Sequence, residues 1–278
     1  MTKTVLITGC SSGIGKQLSM AMLDKGYRVI STARSLEKIA DLRAKGAITL
    51  ALDVTAQASI DDALNQISAQ GHCIDILVNN AGYGAMGPVA EMPSDELEKQ
   101  FATNVFGPVY MVRACVPHMR QRGGGLIVNI GSVSGILVTP FSGAYCATKA
   151  ALHALSDAMR MELAPFNINV MTVMPGAIES EFGNSAESSL KRTLPKDSLY
   201  EWVRDGIQKR AQASQSNPTP TGQFVKALLK NIEAVKPTAE VAIGNGSTIL
   251  PLLARVLPTK LRDAILKRSF GLHHTPTG

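Results

Sequence analysis

Two kinds of hydrophobic segment alternate along the first 180 residues of the chain. Short runs of consecutive apolar residues, each of strand length, are separated by longer segments of helix length. Because the short runs are apolar throughout and do not alternate with polar residues, they are typical of strands that are covered on both faces. The predicted strands are residues 5–8, 28–32, 48–52, 74–79, 126–130 and 168–173.

The longer segments predict helices that lie between these strands. They are residues 14–25, 35–45, 57–70, 94–120 and 144–165, with approximate ends. Repeated strand–helix units favour an α/β fold, in which a doubly wound parallel sheet lies between two layers of helices. Ligands of such sheets bind at the carboxyl ends of the strands, so the loops that follow strands are the first candidates for a site.

The alternation breaks after Ser180, where a stretch rich in Ser, Lys, Pro and Thr covers residues 181–222. The elements predicted beyond it are a helix near 223–235, a short strand at 241–244 and a helical pair from residue 249. We interpret this part as an elaboration of a single domain. The predicted boundaries are 1–248 for the domain, about 181–240 for a lid within it, and 249–278 for a C-terminal extension.

The charge of the chain is confined to its last third. The 278 residues carry 28 Lys and Arg against 22 Asp and Glu, a net charge of +6. Residues 1–180 hold 14 basic and 14 acidic side chains, and residues 181–278 hold 14 basic and 8 acidic ones, so the later part carries the whole surplus. The neutral first part argues against a nucleic-acid-binding protein, whose basic patch is expected on the folded body.

The C-terminal extension is both basic and apolar, with five Lys and Arg residues against one Asp from residue 249 onward. This pattern predicts an amphipathic helix that packs beside a substrate pocket or a subunit interface. The alternative is peripheral contact with an anionic membrane surface.

The sequence predicts a reduced, cytoplasmic protein. A strand-like run follows Met1 almost at once, which leaves no room for a signal peptide, and no apolar run reaches the length of about 18 residues that spans a bilayer. The four cysteines are scattered and form no Cys-x-x-Cys pair. Neither a disulfide framework nor a metal site is therefore indicated.

A glycine-rich loop follows the first predicted strand and opens the first helix. Its sequence is Thr8-Gly9-Cys10-Ser11-Ser12-Gly13-Ile14-Gly15. Glycines in this context let backbone N–H groups approach a pyrophosphate at the N-terminus of a helix, which predicts a dinucleotide site. The alternative is that the glycines only form a turn.

The end of the second strand indicates which dinucleotide binds. Sites for NAD usually place an acidic residue there, whereas sites for NADP supply an arginine for the 2′-phosphate. Here the strand ends in Ser31-Thr32-Ala33-Arg34, and no acid occurs before Glu37. Arg34 can clamp a phosphate, so the sequence favours NADP over NAD, unless Arg34 is an ordinary surface residue.

Candidate chemistry lies at the ends of later strands. Tyr145 and Lys149 are four residues apart in a predicted helix and therefore share a face. An ammonium beside a phenol is expected to lower the pKa of the phenol, which makes Tyr145 a candidate general acid and base. Ser132 follows the strand at 126–130, and its hydroxyl can hydrogen-bond a substrate carbonyl, although its neighbours also suit a turn.

Asn104 is a candidate because of its backbone. It lies four residues before Pro108, which has no N–H, so the Asn104 carbonyl loses its usual helical partner. The freed carbonyl can accept a hydrogen bond from a water that connects Lys149 to solvent. The alternative is a simple kink.

The motifs in the first two thirds of the chain resemble those of the short-chain dehydrogenase/reductases. The resemblance covers essentially residues 3–180. The matching elements are Thr8-Gly9-x-x-x-Gly13-Ile14-Gly15, Asp53-Val54, Asn79-Asn80-Ala81-Gly82, Asn104, Ser132, Tyr145-x-x-x-Lys149 and Pro175-Gly176. Details of the glycine loop and of Pro165-Phe166 look like the hydroxysteroid and retinol dehydrogenase branch, and bacterial NADP-dependent aldehyde reductases also look similar.

The resemblance implies a Rossmann fold and a role for each matching residue. Asn104, Ser132, Tyr145 and Lys149 would form a catalytic tetrad, with Tyr145 and Lys149 also touching the cofactor. Asp53 would contact adenine, Asn80 the adenosine ribose, and Ile178 and Ser180 the nicotinamide amide; family members often have Thr in place of Ser180. The other implied cofactor contacts are Gly9, Ser11, Gly13, Ile14, Gly15 and Arg34. A homodimer or homotetramer is expected.

The implied activity is reversible hydride transfer between NADP(H) and a carbonyl or alcohol. The segment between Ser132 and Tyr145 carries no charge, which favours a lipophilic aldehyde, ketone, retinoid or steroid-like substrate. A catalytically silent NADP-binding sensor or scaffold is the alternative function. A sugar epimerase or dehydratase is disfavoured by the glycine spacing.

Overall fold

A computed structural model describes residues 2–273 of the chain. Seven parallel strands form one sheet in the order β3-β2-β1-β4-β5-β6-β7. The strands are β1 (Thr4–Ile7), β2 (Arg28–Ala33), β3 (Ile48–Ala51), β4 (Ile76–Asn79), β5 (Gly125–Ile130), β6 (Ile168–Pro175) and β7 (Glu240–Ile243). The predicted strands agree with these to within two residues at each end, because continuous apolar runs mark strands buried on both faces.

Helices cover both faces of the sheet. They are α1 (Gly13–Asp24), α2 (Ala40–Ala44), α3 (Gln57–Ala69), α4 (Ser94–Phe101), α5 (Gly107–Gln121), α6 (Gly143–Leu163), α7 (Phe182–Thr193), α8 (Arg204–Gln212), α9 (Thr221–Ile232), α10 (Ile249–Val256) and α11 (Thr259–Ser269). The three-layer, doubly wound α/β fold is thereby confirmed.

Successive residues of β1 point to opposite faces and enter different cores. Val5 and Ile7 join a buried cluster that includes Phe224 of α9. Leu6 joins a second cluster that includes Met111 of α5. The strand order reverses at β1, between β2 and β4, and this reversal opens a crevice at the carboxyl ends of the strands where ligands bind.

The single helix predicted over 94–120 is interrupted. Between α4 and α5 the chain forms a π-helical turn (Ala102–Phe106), in which the N–H of Gly107 donates to the carbonyl of Ala102, five residues earlier. Pro108 follows at once and has no N–H to continue the α-helical ladder. Such turns occur frequently at functional sites, and this one contains Asn104.

Two helices in the lid region were not predicted. The buried face of α7 includes Gly183, Ser189 and Thr193 besides Ala186 and Leu190. Small and polar residues on a buried face weaken the apolar period by which a helix is recognised. Helix α8 is mostly charged and polar, so it gives an even weaker signal.

The C-terminal extension packs on the lid. A third buried cluster contains Leu190 of α7, Ile207 of α8 and Phe270, which follows α11. The backbone carbonyl of Phe270 lies so close to Gly206 of α8 that a Cβ there would approach it to 2.0 Å. Residues 274–278, the end of the predicted extension, lie outside the described residues.

The outer face of the extension keeps an apolar stripe. Ile249, Leu252 and Val256 of α10 are more than half exposed, and Leu261 and Ile265 of α11 nearly so. Among the described residues no helix is long and apolar enough to cross a membrane. Peripheral membrane contact through this stripe stays a prediction.

Candidate active site

The glycine loop between β1 and α1 requires glycine at two positions by close approach of backbone. Gly9 adopts φ +71°, and a Cβ there would lie 2.8 Å from the Cα of Ala81. A Cβ on Gly15 would lie 2.5 Å from the backbone carbonyl oxygen of Gly9 and 2.5 Å from the side-chain nitrogen Nδ2 of Asn80. The loop is therefore drawn tightly over the end of β4, and its backbone is left to face the groove above it.

Thr8 and Asn80 fasten this loop from below. The backbone N–H groups of Asn80 and Ala81 both donate to the Thr8 hydroxyl, at 3.0 Å. The Asn80 side chain donates to the carbonyls of Thr8 at 2.9 Å and Gly9 at 3.0 Å. The sequence predicts that Asn80 lies against a ribose. In the structure its side-chain nitrogen already donates to the loop, and these hydrogen bonds hold the loop in place.

A groove of about 780 Å³ runs from the loop towards the ends of β2 and β3. Gly9, Ser11, Arg34 and Asp53 line it, as expected of cofactor contacts. The Arg34 side chain is exposed. One Asp53 carboxylate oxygen accepts hydrogen bonds from the N–H and the hydroxyl of Thr55, at 2.9 and 2.7 Å, which fixes the turn after β3.

A second cavity, of about 520 Å³, meets the groove at Gly82 and Tyr83, which line both. The predicted residues Ser132, Tyr145 and Lys149 line this cavity together, and each is less than 10 % exposed. Ser132 follows β5, whereas Tyr145 and Lys149 project from the first two turns of α6. The sheet edge and one helix face thus bring the three side chains together.

The cavity also contains the residues expected at the nicotinamide. Ile14, Ile178 and Ser180 line it, and Ser180 lies 3.3 Å from where a Cβ on Gly13 would stand. The loop carrying Ile178 is held by Thr219, whose N–H donates to the Ala177 carbonyl at 2.9 Å. Most of the predicted cofactor residues therefore line the groove or the cavity that adjoins it, whereas Gly13, Gly15 and Asn80 line neither.

Burial dominates the ionisation of the two candidate catalytic groups. It raises the pKa of Tyr145 to about 12, against the opposing effects of a hydrogen bond with Ser132 and of the Arg210 charge. Burial also lowers the pKa of Lys149 to about 8. The sequence predicts that Lys149 lowers the pKa of Tyr145, but the Lys149 ammonium donates to the Ile130 carbonyl at 2.7 Å, and desolvation of the phenol is the larger effect.

Asn104 lies beside this group without lining the cavity wall. Its side-chain amide donates to the Tyr83 carbonyl at 2.8 Å and to the Thr148 hydroxyl at 3.1 Å, and its oxygen accepts from the Tyr83 N–H at 3.1 Å. The Thr148 hydroxyl in turn donates to the Tyr145 carbonyl at 2.8 Å. Asn104 therefore ties the segment after β4 to α6. A water relay through its backbone carbonyl stays a prediction.

The sequence predicts only a packed or solvated side chain for His153. It lies one turn beyond Lys149 and accepts a hydrogen bond from the backbone N–H of Ser132 at 3.3 Å. Burial first, and then the charge of Lys149, lower its pKa to about 4, so it is neutral at pH 7 and keeps its acceptor nitrogen. His153 thus positions the backbone of Ser132.

Helix α7 packs over the site. The Phe182 ring, at the start of α7, lies 5.2 Å from the Tyr145 ring between centroids. Further along α7, Arg192 forms a two-point ion pair with Glu96 of α4, at 2.7 and 3.2 Å. The Glu96 side chain is only 5 % exposed. Because Ser185 and Ser188 of the same helix line the groove, this ion pair holds α7 over the cofactor side of the site.

Arg210 is the site residue that the sequence argument missed. It projects from α8 into the cavity that holds Tyr145 and is 8 % exposed. The expectation of an uncharged pocket wall is therefore incomplete, since it considered only the segment between Ser132 and Tyr145. A signal was present: Ile207, Arg210 and Ala211 follow helical spacing, so a buried Ile207 places Arg210 on the inner face.

Comparison with known proteins places the chain in a family. Residues 3–191 match the family described as short chain dehydrogenase. An uncharacterized oxidoreductase of Escherichia coli, YbbO, is 36 % identical over 275 residues, covering 96 % of this chain and 95 % of its own. The chain belongs to the short-chain dehydrogenase/reductases, as the motifs predicted.

Solved structures agree in fold. A short-chain dehydrogenase from Streptomyces avermitilis superimposes with a TM-score of 0.79 at 32 % identity, covering 96 % of this chain and 94 % of its own. A serine dehydrogenase complexed with NADP⁺ gives 0.75 at 28 % identity, covering 87 % and 94 %. Other structures of this fold hold NADP or NAD. These relatives support a nicotinamide cofactor without choosing between the two.

Proposed function

We propose that the protein is an NADP(H)-dependent oxidoreductase that interconverts a carbonyl group and an alcohol in a lipophilic substrate. The observation that carries the proposal is the placement of Ser132, Tyr145 and Lys149, which line one wall of a cavity that opens into the glycine-loop groove. A nicotinamide bound where the groove meets the cavity would face the same side chains as the carbonyl of a substrate.

The residues present fit a dinucleotide. A Cβ on Gly9 or Gly15 would collide with backbone, so the loop keeps its N–H groups close to the groove, as a pyrophosphate requires. Gly9, Ser11, Arg34 and Asp53 would hold the adenosine and phosphate part, and Ile14, Ile178 and Ser180 the nicotinamide. When bound, the nicotinamide supplies or accepts the hydride.

Arg34 supports NADP as the preferred form. Its exposed guanidinium stands at the end of β2, where the cofactor's 2′ position is expected in this fold. The nearest acid in sequence, Glu37, accepts a hydrogen bond from the Ser35 hydroxyl at 2.5 Å. A 2′-phosphate would therefore meet a cation at the position where NAD-binding relatives of this fold usually have a carboxylate.

The protein's own groups then handle the proton. With a pKa of about 12, Tyr145 is protonated throughout the neutral range and can donate to the oxygen of a carbonyl as it is reduced. The Ser132 hydroxyl would orient that oxygen. Lys149, whose pKa is about 8, is charged below that pH and loses its charge above it, so we expect reduction to weaken as the pH rises through 8.

The remaining walls of the cavity support a lipophilic substrate. Leu137, Leu250, Leu266, Phe182 and Phe270 line it and come from four separate segments. Apolar walls of this kind exclude water and bind apolar groups by removing their surface from solvent.

The test of the proposal is replacement of Tyr145 by Phe, which removes the proton donor and keeps the ring. We expect turnover of NADPH with long-chain aldehydes, retinal and steroid ketones to fall by about 10³-fold, since general acid catalysis contributes up to this order. Binding of NADPH, measured by fluorescence titration, should change little.

Tyr110→Phe is the matched control, because Tyr110 lies on α5, outside the cavity, and its ring faces Arg113. Wild-type activity in Tyr145→Phe would contradict the proposal. NADPH binding by the wild-type protein without turnover of any carbonyl in the panel would favour the sensor or scaffold instead.

A homodimer or homotetramer in the cytoplasm stays part of the proposal. Light scattering coupled to size-exclusion chromatography measures the assembly directly, and a monomeric mass would contradict it.

A further inference from the structure

Arg210 is a buried cation for which the structure provides no buried anion. Within residues 2–273, no carboxylate forms an ion pair with it. Its Nε donates to the hydroxyls of Thr139 at 2.5 Å and Ser142 at 3.2 Å, and the thiol of Cys146 is its remaining side-chain hydrogen-bond partner. None of the three partners is a carboxylate.

An arrangement of this kind is costly unless a ligand completes it. A guanidinium stays charged even when burial lowers its pKa, as burial does here, and a buried charge without a counterion is strongly destabilising. If the residue at position 210 only filled space in the core, an apolar side chain of similar length would suffice. Thr139 and Ser142 instead fix the guanidinium through Nε, which orients its terminal amino groups.

The cavity lets a ligand reach this guanidinium. Arg210 lines the same space as Ser132 and Tyr145, and its charge acts on the Tyr145 phenol. A single small molecule can therefore place a carbonyl at Tyr145 and an anionic group at Arg210. The apolar side chains of Leu137 and Leu266 line the rest of that space.

We infer that Arg210 binds a carboxylate of the substrate, and that the substrate is an oxo acid or hydroxy acid with an apolar carbon skeleton. A carboxylate is planar and accepts two parallel hydrogen bonds from the terminal amino groups of a guanidinium. The inference rests on the proposed function, because it names the substrate of the same cavity.

The experiment compares acids with their esters. Straight-chain oxo acids that differ in the number of carbons between carbonyl and carboxylate are each paired with the methyl ester, and kcat/KM is measured with NADPH. We expect at least one acid to exceed its ester by about 10-fold or more, the discrimination typical of a hydrogen bond to a charged group. Arg210→Leu should remove this preference, and Arg210→Lys should retain part of it.

Binding of octanoate in the presence of NADPH provides a readout that needs no turnover. Calorimetry should give a dissociation constant about 10-fold or more weaker in Arg210→Leu than in the wild type. Esters turned over as well as acids, or octanoate bound equally by both proteins, would overturn the inference. An equal loss for acids and esters in Arg210→Leu, together with a shifted pH profile, would also overturn it and make Arg210 a positioning residue for Tyr145.

The two proposals fail in different ways. Turnover of neutral carbonyls without any preference for acids supports the proposed oxidoreductase activity and contradicts carboxylate binding by Arg210. Octanoate binding that depends on Arg210, with no turnover of any carbonyl, supports a carboxylate site at Arg210 and contradicts the proposed oxidoreductase activity. If Arg210→Leu does not fold, as judged by its melting transition, Arg210→Lys and the wild-type ratio of acid to ester decide the question.

Discussion

The part of the molecule that would hold the cofactor and the part that would hold the substrate are built in different ways. Up to the end of β6, buried apolar strands leave little freedom, and close contacts of backbone atoms, fastened by Thr8 and Asn80, fix the glycine loop. Beyond β6, α7 and α8 bring polar side chains to the site: Thr193 and Arg210 are buried, and Arg192 pairs with the buried Glu96 of α4. Steric exclusion is therefore the main constraint on the glycine loop, and particular polar pairs are the main constraint on the elements after β6.

The charge of the chain follows the same division. The first 180 residues are neutral overall, and the last 98 carry the net charge of +6. One of those cations, Arg210, lies inside the cavity, so the basic character of the later part belongs partly to the site. The residues up to the end of β6 therefore indicate the class of reaction, whereas the choice of substrate depends on the residues beyond β6.

We expect the largest effect on cofactor binding from a methyl group added in the glycine loop. Gly15→Ala should weaken NADPH binding by about 100-fold, because a Cβ there meets backbone and cannot be relieved by a side-chain rotation. Gly222→Ala on α9 is the control, since a Cβ there meets nothing within 4 Å. Fluorescence titration measures both. Equal affinity in the two variants would break the claim that steric exclusion constrains the glycine loop.

A smaller effect is expected from the cation at the end of β2. Arg34→Ser should lower kcat/KM with NADPH by about 30-fold, which corresponds to one lost hydrogen-bonded charge contact, and should leave kcat/KM with NADH nearly unchanged. Lys38→Ser, one turn further along the surface, is the matched control. A loss of equal size with both cofactors would show that Arg34 supports the loop and does not read the 2′-phosphate.

The smallest effect concerns the ion pair that holds the lid. Arg192→Met removes the two-point partner of the buried Glu96 carboxylate and leaves it paired with Lys99 at 3.9 Å, so we expect about 1 kcal/mol less stability and a KM for NADPH raised about 3-fold. Arg204→Met is the control, because its partner, Glu201, is exposed, and no change in melting temperature is expected. Urea unfolding and steady-state kinetics measure the two effects. Indistinguishable variants would mean that the lid does not depend on this polar pair.

The sequence allowed the fold and most of the site to be predicted for a physical reason. Strands buried on both faces have to be apolar throughout, and a loop under backbone contact has to contain glycine, so both leave marks in the residue types. Pro108 predicts a freed carbonyl or a kink at Asn104, but the sequence pattern indicates one continuous helix over 94–120, and the π-helical turn that divides it was not predicted.

What could not be predicted depends on which side chains end up buried together. Whether Lys149 lowers the pKa of Tyr145 is decided by desolvation, and the residue types do not give its size. Similarly, an arginine on a polar helix has the same pattern whether it faces water or a cavity. The helical spacing places Arg210 on the same face as Ile207, and the packing of α8 against Phe270 shows that this face points inward.

That packing has a consequence for how the protein matures. Gly206 of α8 lies against the carbonyl of Phe270, and Lys209 donates to the Ser269 carbonyl at 3.0 Å. The residues that support α8 therefore follow every strand of the sheet in the chain. A growing chain can complete its sheet and glycine loop before these residues are synthesised, and α8 gains its support only afterwards.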